Sequence, residues 1–198
     1  MPLRLSASMP ESRLTTLDDI EAAVWRELAL ACSHARHAWR RCVVATAGED
    51  GPEARTMVLR ECDPSAQLVA LYTDSRSPKL AQLSRDARAQ IVCWSPELHW
   101  QVRLRCDVQV ETQGLAVSTR WARVRFSPGA QDYLSHLPPG TDLLPDGPDS
   151  PPAHPDAVAH HHFAVLTARV RSIDWLELHE AGHRRARFEA GGGAWCTP

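Results

Sequence analysis

The segment Arg55-Thr56-Met57-Val58-Leu59-Arg60, followed by Tyr72-Thr73-Asp74-Ser75-Arg76-Ser77-Pro78-Lys79, decides the fold of this chain. Turn residues at Gly48-Glu49-Asp50-Gly51-Pro52 and Asp63-Pro64-Ser65 bracket the first segment, so Ala54 to Glu61 and Gln67 to Thr73 read as successive strands of an antiparallel meander. The second strand turns through Asp74 and Ser75 into a short helix, with Ser77 as its N-cap and Pro78 at the first helical position. A helix N-terminus presents unpaired N–H groups and a partial positive charge, to which Arg76, Lys79 and the hydroxyls of Thr73, Ser75 and Ser77 add. That combination suits a phosphate monoester dianion. Lys79 is the single lysine among 22 Lys and Arg residues, so a chain that otherwise uses arginine places its one compact ammonium at this point.

Working outward, Thr16 opens a helix whose Ile20, Val24, Leu28 and Ala31 recur at helical spacing, with Asp19 as a short capping partner. Strand character starts at Cys42 to Thr46 and, past the helix Pro78 to Arg85, returns at Ala89 to Trp94 and His99 to Thr112. Helices are expected over Val117 to Phe126 and Ala130 to His136, and further strands over Phe163 to Leu178 and Arg184 to Phe188. Seven of the 15 prolines fall between Pro138 and Pro155, marking a loop over about 138–158 within a single 198-residue domain. The fold class expected is mainly β (α+β), a small barrel of antiparallel strands with flanking helices.

A net charge of -2 with mixed signs gives no reason to expect nucleic-acid binding, and no stretch is apolar enough to span a bilayer. Met1 to Thr15 lacks the apolar region of a secretory signal. Six scattered cysteines without a C-x-x-C pair fit a reduced, cytoplasmic protein.

Together with Gln101-Val102-Arg103 and the late Trp175, the two opening segments resemble, in order, the pyridoxamine 5'-phosphate oxidase-like FMN-binding split barrels. The resemblance runs from about Trp39 to the end of the chain. It implies that Arg55, Thr56, Met57, Val58 and Leu59 line the flavin and its ribityl chain, with Tyr72 and Thr73 beside them. It further implies that Ser77, Lys79 and Arg76 hold the FMN phosphate and that Gln101 meets the ring edge. Trp175 and Arg187 would reach the flavin of a partner subunit, making the protein a homodimer with sites at the interface. Arg60 falls where the family contacts the phosphate of its substrate; with Arg125 and Arg184 it completes the candidate set for a small-molecule substrate that can itself be phosphorylated. The family's Arg-x-His pair is replaced by His183-Arg184-Arg185-Ala186-Arg187, and its Gln-Ser pair near His136-Leu137-Pro138 is absent. These departures separate FMN binding from oxidation of pyridoxamine phosphate itself.

The function implied is an FMN-dependent oxidoreductase, with no catalytic residue assigned. The alternatives are a non-catalytic FMN or haem carrier on the same barrel and a barrel kept for dimerisation alone. Arg55 and Arg60 are five positions apart and would face opposite sides of a regular strand, so they share a site only if a bulge intervenes or the site wraps the strand end. Gln101, Arg103 and Arg105 share one face of their strand. The run His160-His161-His162 cannot converge on one metal ion and reads as the exposed end of the proline-rich loop; no metal site is expected. Arg120, Arg123 and Arg125 read mainly as a solvated helix face.

Overall fold

The computed structural model describes residues 13–142 and 161–198. Thr16 caps the first helix as the sequence predicts: its hydroxyl accepts from the Asp19 backbone N–H at 3.1 Å, and α1 runs over Leu17–Ser33. A short 3₁₀ turn at Ala38–Arg40 leads into β1 (Arg41–Ala47), β2 (Pro52–Asp63) and β3 (Leu68–Asp74). Helix α2 (Pro78–Arg85) then precedes β4 (Arg88–Ser95) and β5 (Trp100–Glu111). After α3 (Leu115–Val124) and a 3₁₀ turn at Pro128–Tyr133 come β6 (Phe163–Glu177), β7 (Arg184–Glu189) and β8 (Gly192–Cys196).

All eight strands form one antiparallel sheet in the order β3-β2-β1-β4-β5-β6-β7-β8, and β3 also pairs with β6. That extra pairing closes six strands into a barrel, as the sequence reading expects. Strand β6 makes the split: Phe163 to Arg169 pair with β3, whereas Ile173 to Glu177 pair with β7. The first half of β6 therefore closes the barrel and the second carries the β7–β8 extension away from it.

Alternating residues fill the interior, among them Leu59, Ile91, Val102, Leu104, Leu166 and Trp175, each at most 1% exposed. Helix α1 packs its Ile20, Val24 and Leu28 stripe against β2 and β8. A second apolar cluster lies outside the barrel, where Trp121 of α3 and Tyr133 cover Phe163 and Val165 of β6. It holds the 3₁₀ turn against the end of β3 and so shapes one wall of the site.

Three expectations are corrected. The segment predicted as a helix over Ala130 to His136 is the earlier 3₁₀ turn, begun by Pro128 and ended at Tyr133. His161 and His162 are half-buried instead of exposed; the His161 ring stacks 4.5 Å from that of Trp121. Strand β8 lies where no element was expected, because Gly191, Gly192 and Gly193 mask its strand character. Most of the proline-rich loop, with His160, lies outside the described residues.

Candidate FMN site

Lys79 is held at the start of α2 by two neutral hydroxyls. Its ammonium donates to Thr73 Oγ1 at 3.0 Å and to Ser77 Oγ, and among the described residues it forms no ion pair. Ser77 occupies the N-cap position but makes no side-chain capping bond, since its hydroxyl turns to Lys79. The helix start was correctly located from Ser77-Pro78, while the use of the hydroxyl differs from ordinary capping. Burial, and secondly the nearby Arg55 guanidinium, push the Lys79 ammonium below its usual pKa, with Asp74 opposing them. A cation in this state gains from an incoming anion.

A cleft of about 250 Å³ opens beside Lys79. Arg55, Thr56, Met57, Val58 and Arg60 of β2 form one side, and Tyr72 and Thr73 of β3 form another. Asp132, Tyr133 and Pro139 close it. These three were not anticipated; they arrive through the 3₁₀ turn, and no local motif marks them.

Arg55 and Arg60 reach the same cleft because it wraps the strand, taking Arg55 and Met57 from one face and Thr56, Val58 and Arg60 from the other. Leu59 pairs with Leu71 and Glu61 with Ala70, leaving Arg60 as the extra residue. Arg55 donates to Thr46 Oγ1 at 2.5 Å and to Gln82 Oε1 at 3.2 Å, which fixes it at the barrel mouth, and it pairs with Glu53 at 3.1 Å. Arg60 lies 5.7 Å from the Tyr72 ring centre, and its Nε is buried without a hydrogen-bond partner. The Tyr72 hydroxyl donates to Glu61 at 2.5 Å, and Arg120 grips the same carboxylate at 2.7 and 2.8 Å. Arg120 is thus a structural clamp, not a solvated cation.

The structure separates the other candidates. Leu59 points into the barrel and is fully buried. Arg76 turns from the cleft to pair with Asp74 at 2.6 Å and to donate to the carbonyls of Ser135, His136 and Leu137. Arg125 is exposed beyond α3, over the Phe126 ring at 4.5 Å. Arg184, expected at a substrate, is occupied by Glu177 at 2.9 and 3.0 Å and by the Leu14 carbonyl at 2.7 Å. Trp175 has no exposed surface with which to reach a partner's flavin; it lies in the core, edge-on to Trp100 at 5.4 Å. Burial wins here because β6 turns its indole inward.

Gln101 and Arg187 lie on the outer face of the sheet. The cleft runs onto that face along one cross-strand row, in which Thr56 opposes Val43, Val43 opposes Val92, and Val92 opposes Arg103. The row continues from Arg103 to Asp174 and from Asp174 to Arg187. Val43 is 40% exposed and Trp94 43%, so the face is partly apolar and open in this single chain. A larger groove of about 790 Å³ lies further along the sheet, beside Ala45, Gln90 and Arg105. Its Arg88 and Arg171 pair with Asp86 and Asp107.

Residues 22–112 match the family model described as pyridoxamine 5'-phosphate oxidase, FMN-binding domain. The fold is the split barrel of the pyridoxamine 5'-phosphate oxidase-like proteins. No curated protein matches it. Among solved split barrels, a pyridoxamine 5'-phosphate oxidase-related, FMN-binding protein from Nostoc punctiforme superposes with a TM-score of 0.73 at 21% identity, covering 93% of this chain and 100% of its own. PhzG from Burkholderia lata, solved with tetrahydrophenazine-1-carboxylic acid, gives 0.72 at 18% identity, covering 98% and 99%. General Stress Protein 26 from Bacillus anthracis gives 0.50 at 12%, covering 77% and 92%. At these identities the structural likeness speaks for the fold. The matched family segment contains Arg55 to Arg60, Tyr72, Thr73, Lys79 and Gln101, and ends before α3 and β6 to β8.

Proposed function

We propose that the chain binds FMN and acts as an FMN-dependent oxidoreductase. The observation that carries this reading is Lys79, a half-buried cation held by Thr73 and Ser77 with no carboxylate partner among the described residues. Two hydroxyls and an ammonium at the start of a helix fit a phosphate dianion. A lone core lysine would instead be expected to carry a carboxylate.

The cleft, at about 250 Å³, falls below the roughly 300 Å³ at which pockets for whole cofactors begin. It suits the phosphate and the ribityl chain. Thr56 and Val58 lead from it to the open sheet face, where the Gln101 amide can meet the polar edge of the ring. A homodimer formed over that face is the corresponding assembly, with Val43 and Trp94 as apolar contacts and Arg187 brought toward the flavin. The family likeness implies Arg187's role; its 47% exposed side chain is available for it.

A bound flavin would supply two-electron hydride chemistry. The chain's own residues would anchor the phosphate through Lys79, present Arg55 and Arg60 as fixed positive charges, and keep water from the apolar side with Met57 and Tyr133. Arg60 is the candidate for a negatively charged substrate group, since its Nε is buried and unmatched. The proposed compartment is the cytoplasm: all six cysteines are free thiols, and among the described residues no helix is long and apolar enough to cross a membrane.

FMN added to the purified protein and then dialysed should leave a flavin absorption band with the protein. Screening of reduced nicotinamides and oxidisable amines against the loaded protein then tests turnover. Retention of flavin with no reduction by any donor would favour the carrier reading.

A further inference from the structure

Strand β8 is the last of the sheet and pairs with β7 alone. Glu189 and Gly192 close the two-residue hairpin between them, and parity along the strand then aims the backbone N–H and C=O of Gly193 and Trp195 away from β7. No other described element hydrogen-bonds to these groups. Natural sheets blunt such an edge with a lysine, a proline or a bulge. Here Gly192-Gly193-Ala194-Trp195-Cys196 carries no charge and no proline, and its register with β7 is unbroken. Trp195 is left 47% exposed.

The described chain starts beside this edge. Arg13 donates from Nε to Glu177 Oε2 and from Nη2 to the Gly182 carbonyl, both at 2.9 Å, and Arg184 donates to the Leu14 carbonyl at 2.7 Å. Leu17 lies over β8, since a Cβ on Gly193 would stand 3.3 Å from its own. The stretch from Arg13 to Leu17 thus crosses the β7–β8 ribbon, and the chain before it departs from the end where Arg185 opposes Cys196. In that preceding chain Leu3, Leu5, Ala7 and Met9 alternate with Arg4, Ser6 and Ser8, the period of a strand with one apolar face. Pro10-Glu11-Ser12 supplies a turn. Three extended residues cover about 10 Å and neighbouring strands lie about 4.8 Å apart, so the alternating run reaches the β8 edge from Arg13.

We propose that Leu3 to Met9 add to the sheet as a strand on the free edge of β8. Its backbone would pair with Gly193 and Trp195. Its apolar side chains would cover the Trp195 indole, which lies on the same side of the ribbon as Gly193 and Leu17. The segment is favoured over a second copy because it is tethered: a short linker holds it at an effective concentration in the millimolar range, about that of other flexible linkers of this length. The edge is separated from Trp94 on β4 by β5, β6 and β7, outside the apolar contact assigned to the homodimer. A strand seated there blocks edge-to-edge association through β8.

The test is amide hydrogen exchange of the full chain, read by mass spectrometry of its peptic peptides at two protein concentrations. Protection of the peptides that cover residues 3–9 and 192–196, equal at both concentrations, is expected. Successive N–H groups of a strand point to opposite edges, so one of the variants Leu5→Pro and Ser6→Pro removes a pairing donor. At least one of the two should speed exchange of both peptides by about tenfold or more, while peptides of β4 and β5 exchange as in the wild type. Unprotected residues 3–9, or protection of 192–196 unchanged in both variants, overturns the proposal. Protection that rises with protein concentration also overturns it, in favour of a second copy at the edge.

Discussion

The Lys79 ammonium lies 3.0 Å from the Thr73 hydroxyl at the junction of β3 and α2, with no carboxylate paired to it among the described residues. Thr73 is 6% exposed and Ser77 likewise, so both hydroxyls are largely withdrawn from water and aimed at the lysine. The arrangement leaves a charge unmatched in the free protein and matched when an anion enters.

Replacing Lys79 by methionine should weaken FMN binding by roughly 1.5–3 kcal/mol, or about tenfold to a hundredfold, since a charge-assisted hydrogen bond is lost. Thermal stability without flavin should hold or rise, because an unpaired cation leaves a partly buried site. Flavin titration and thermal melting of the variant check both halves.

Arg76→Ala should act differently. Its guanidinium neutralises Asp74, which is 4% exposed, and ties down the carbonyls of 135–137. Breaking such a pair costs about 3 kcal/mol when the remaining charge stays buried. A lowered melting temperature should therefore dominate, whereas the Lys79 variant shows an affinity loss at full stability.

Acid should destabilise the β6–β7 extension. Burial pushes the Glu177 carboxyl up, but hydrogen bonds and attraction from Arg184 and Arg13 outweigh it and hold the carboxyl below its usual pKa. A folded value depressed below the unfolded one means stability that is present above the unfolded pKa, about 4.3, and lost as pH falls through the folded value. Asp174, with Arg185 and Arg103 outweighing burial, shifts in the same direction. Melting temperature should fall as pH drops below about 4.5, and Glu177→Gln should flatten that slope. An unchanged slope in the variant would remove Glu177 from the account.

Gly193→Ala should destabilise the packing of β8. A Cβ there would meet Phe188 Cδ1 and Cε1 at 2.8 Å and Leu17 Cβ at 3.3 Å, and Phe188 is only 2% exposed. Displacing a buried ring that also supports α1 should cost about 1–3 kcal/mol, measurable by urea unfolding.

Local signals in the sequence reached some of these features and missed others for definite reasons. Thr16, Ser77 and Pro78 mark helix starts because capping depends on neighbouring residues, and the turns at Gly51-Pro52 and Asp63-Pro64 set the strand order of the meander. The Lys79 cluster was legible for the same reason: its parts lie within seven residues of sequence. Arg184 and Arg76 were misassigned because their partners are distant, the Leu14 carbonyl 170 positions away and the Ser135 carbonyl 59. The parity rule raised the question of Arg55 and Arg60, but only the folded cleft, which takes residues from both faces of β2, answers it. Trp175 illustrates the opposite limit, in that a family motif supplies a role and β6 turns the indole into the core.

The measurement that bears most directly on the cofactor site is FMN titration of the wild-type and Lys79→Met proteins, followed by visible absorbance after dialysis. The account predicts retention of about one flavin per wild-type chain and its loss from the variant, with both proteins folded. Equal flavin retention by the two, or none by the wild type, would contradict the assignment of Lys79, Thr73 and Ser77 as the phosphate site.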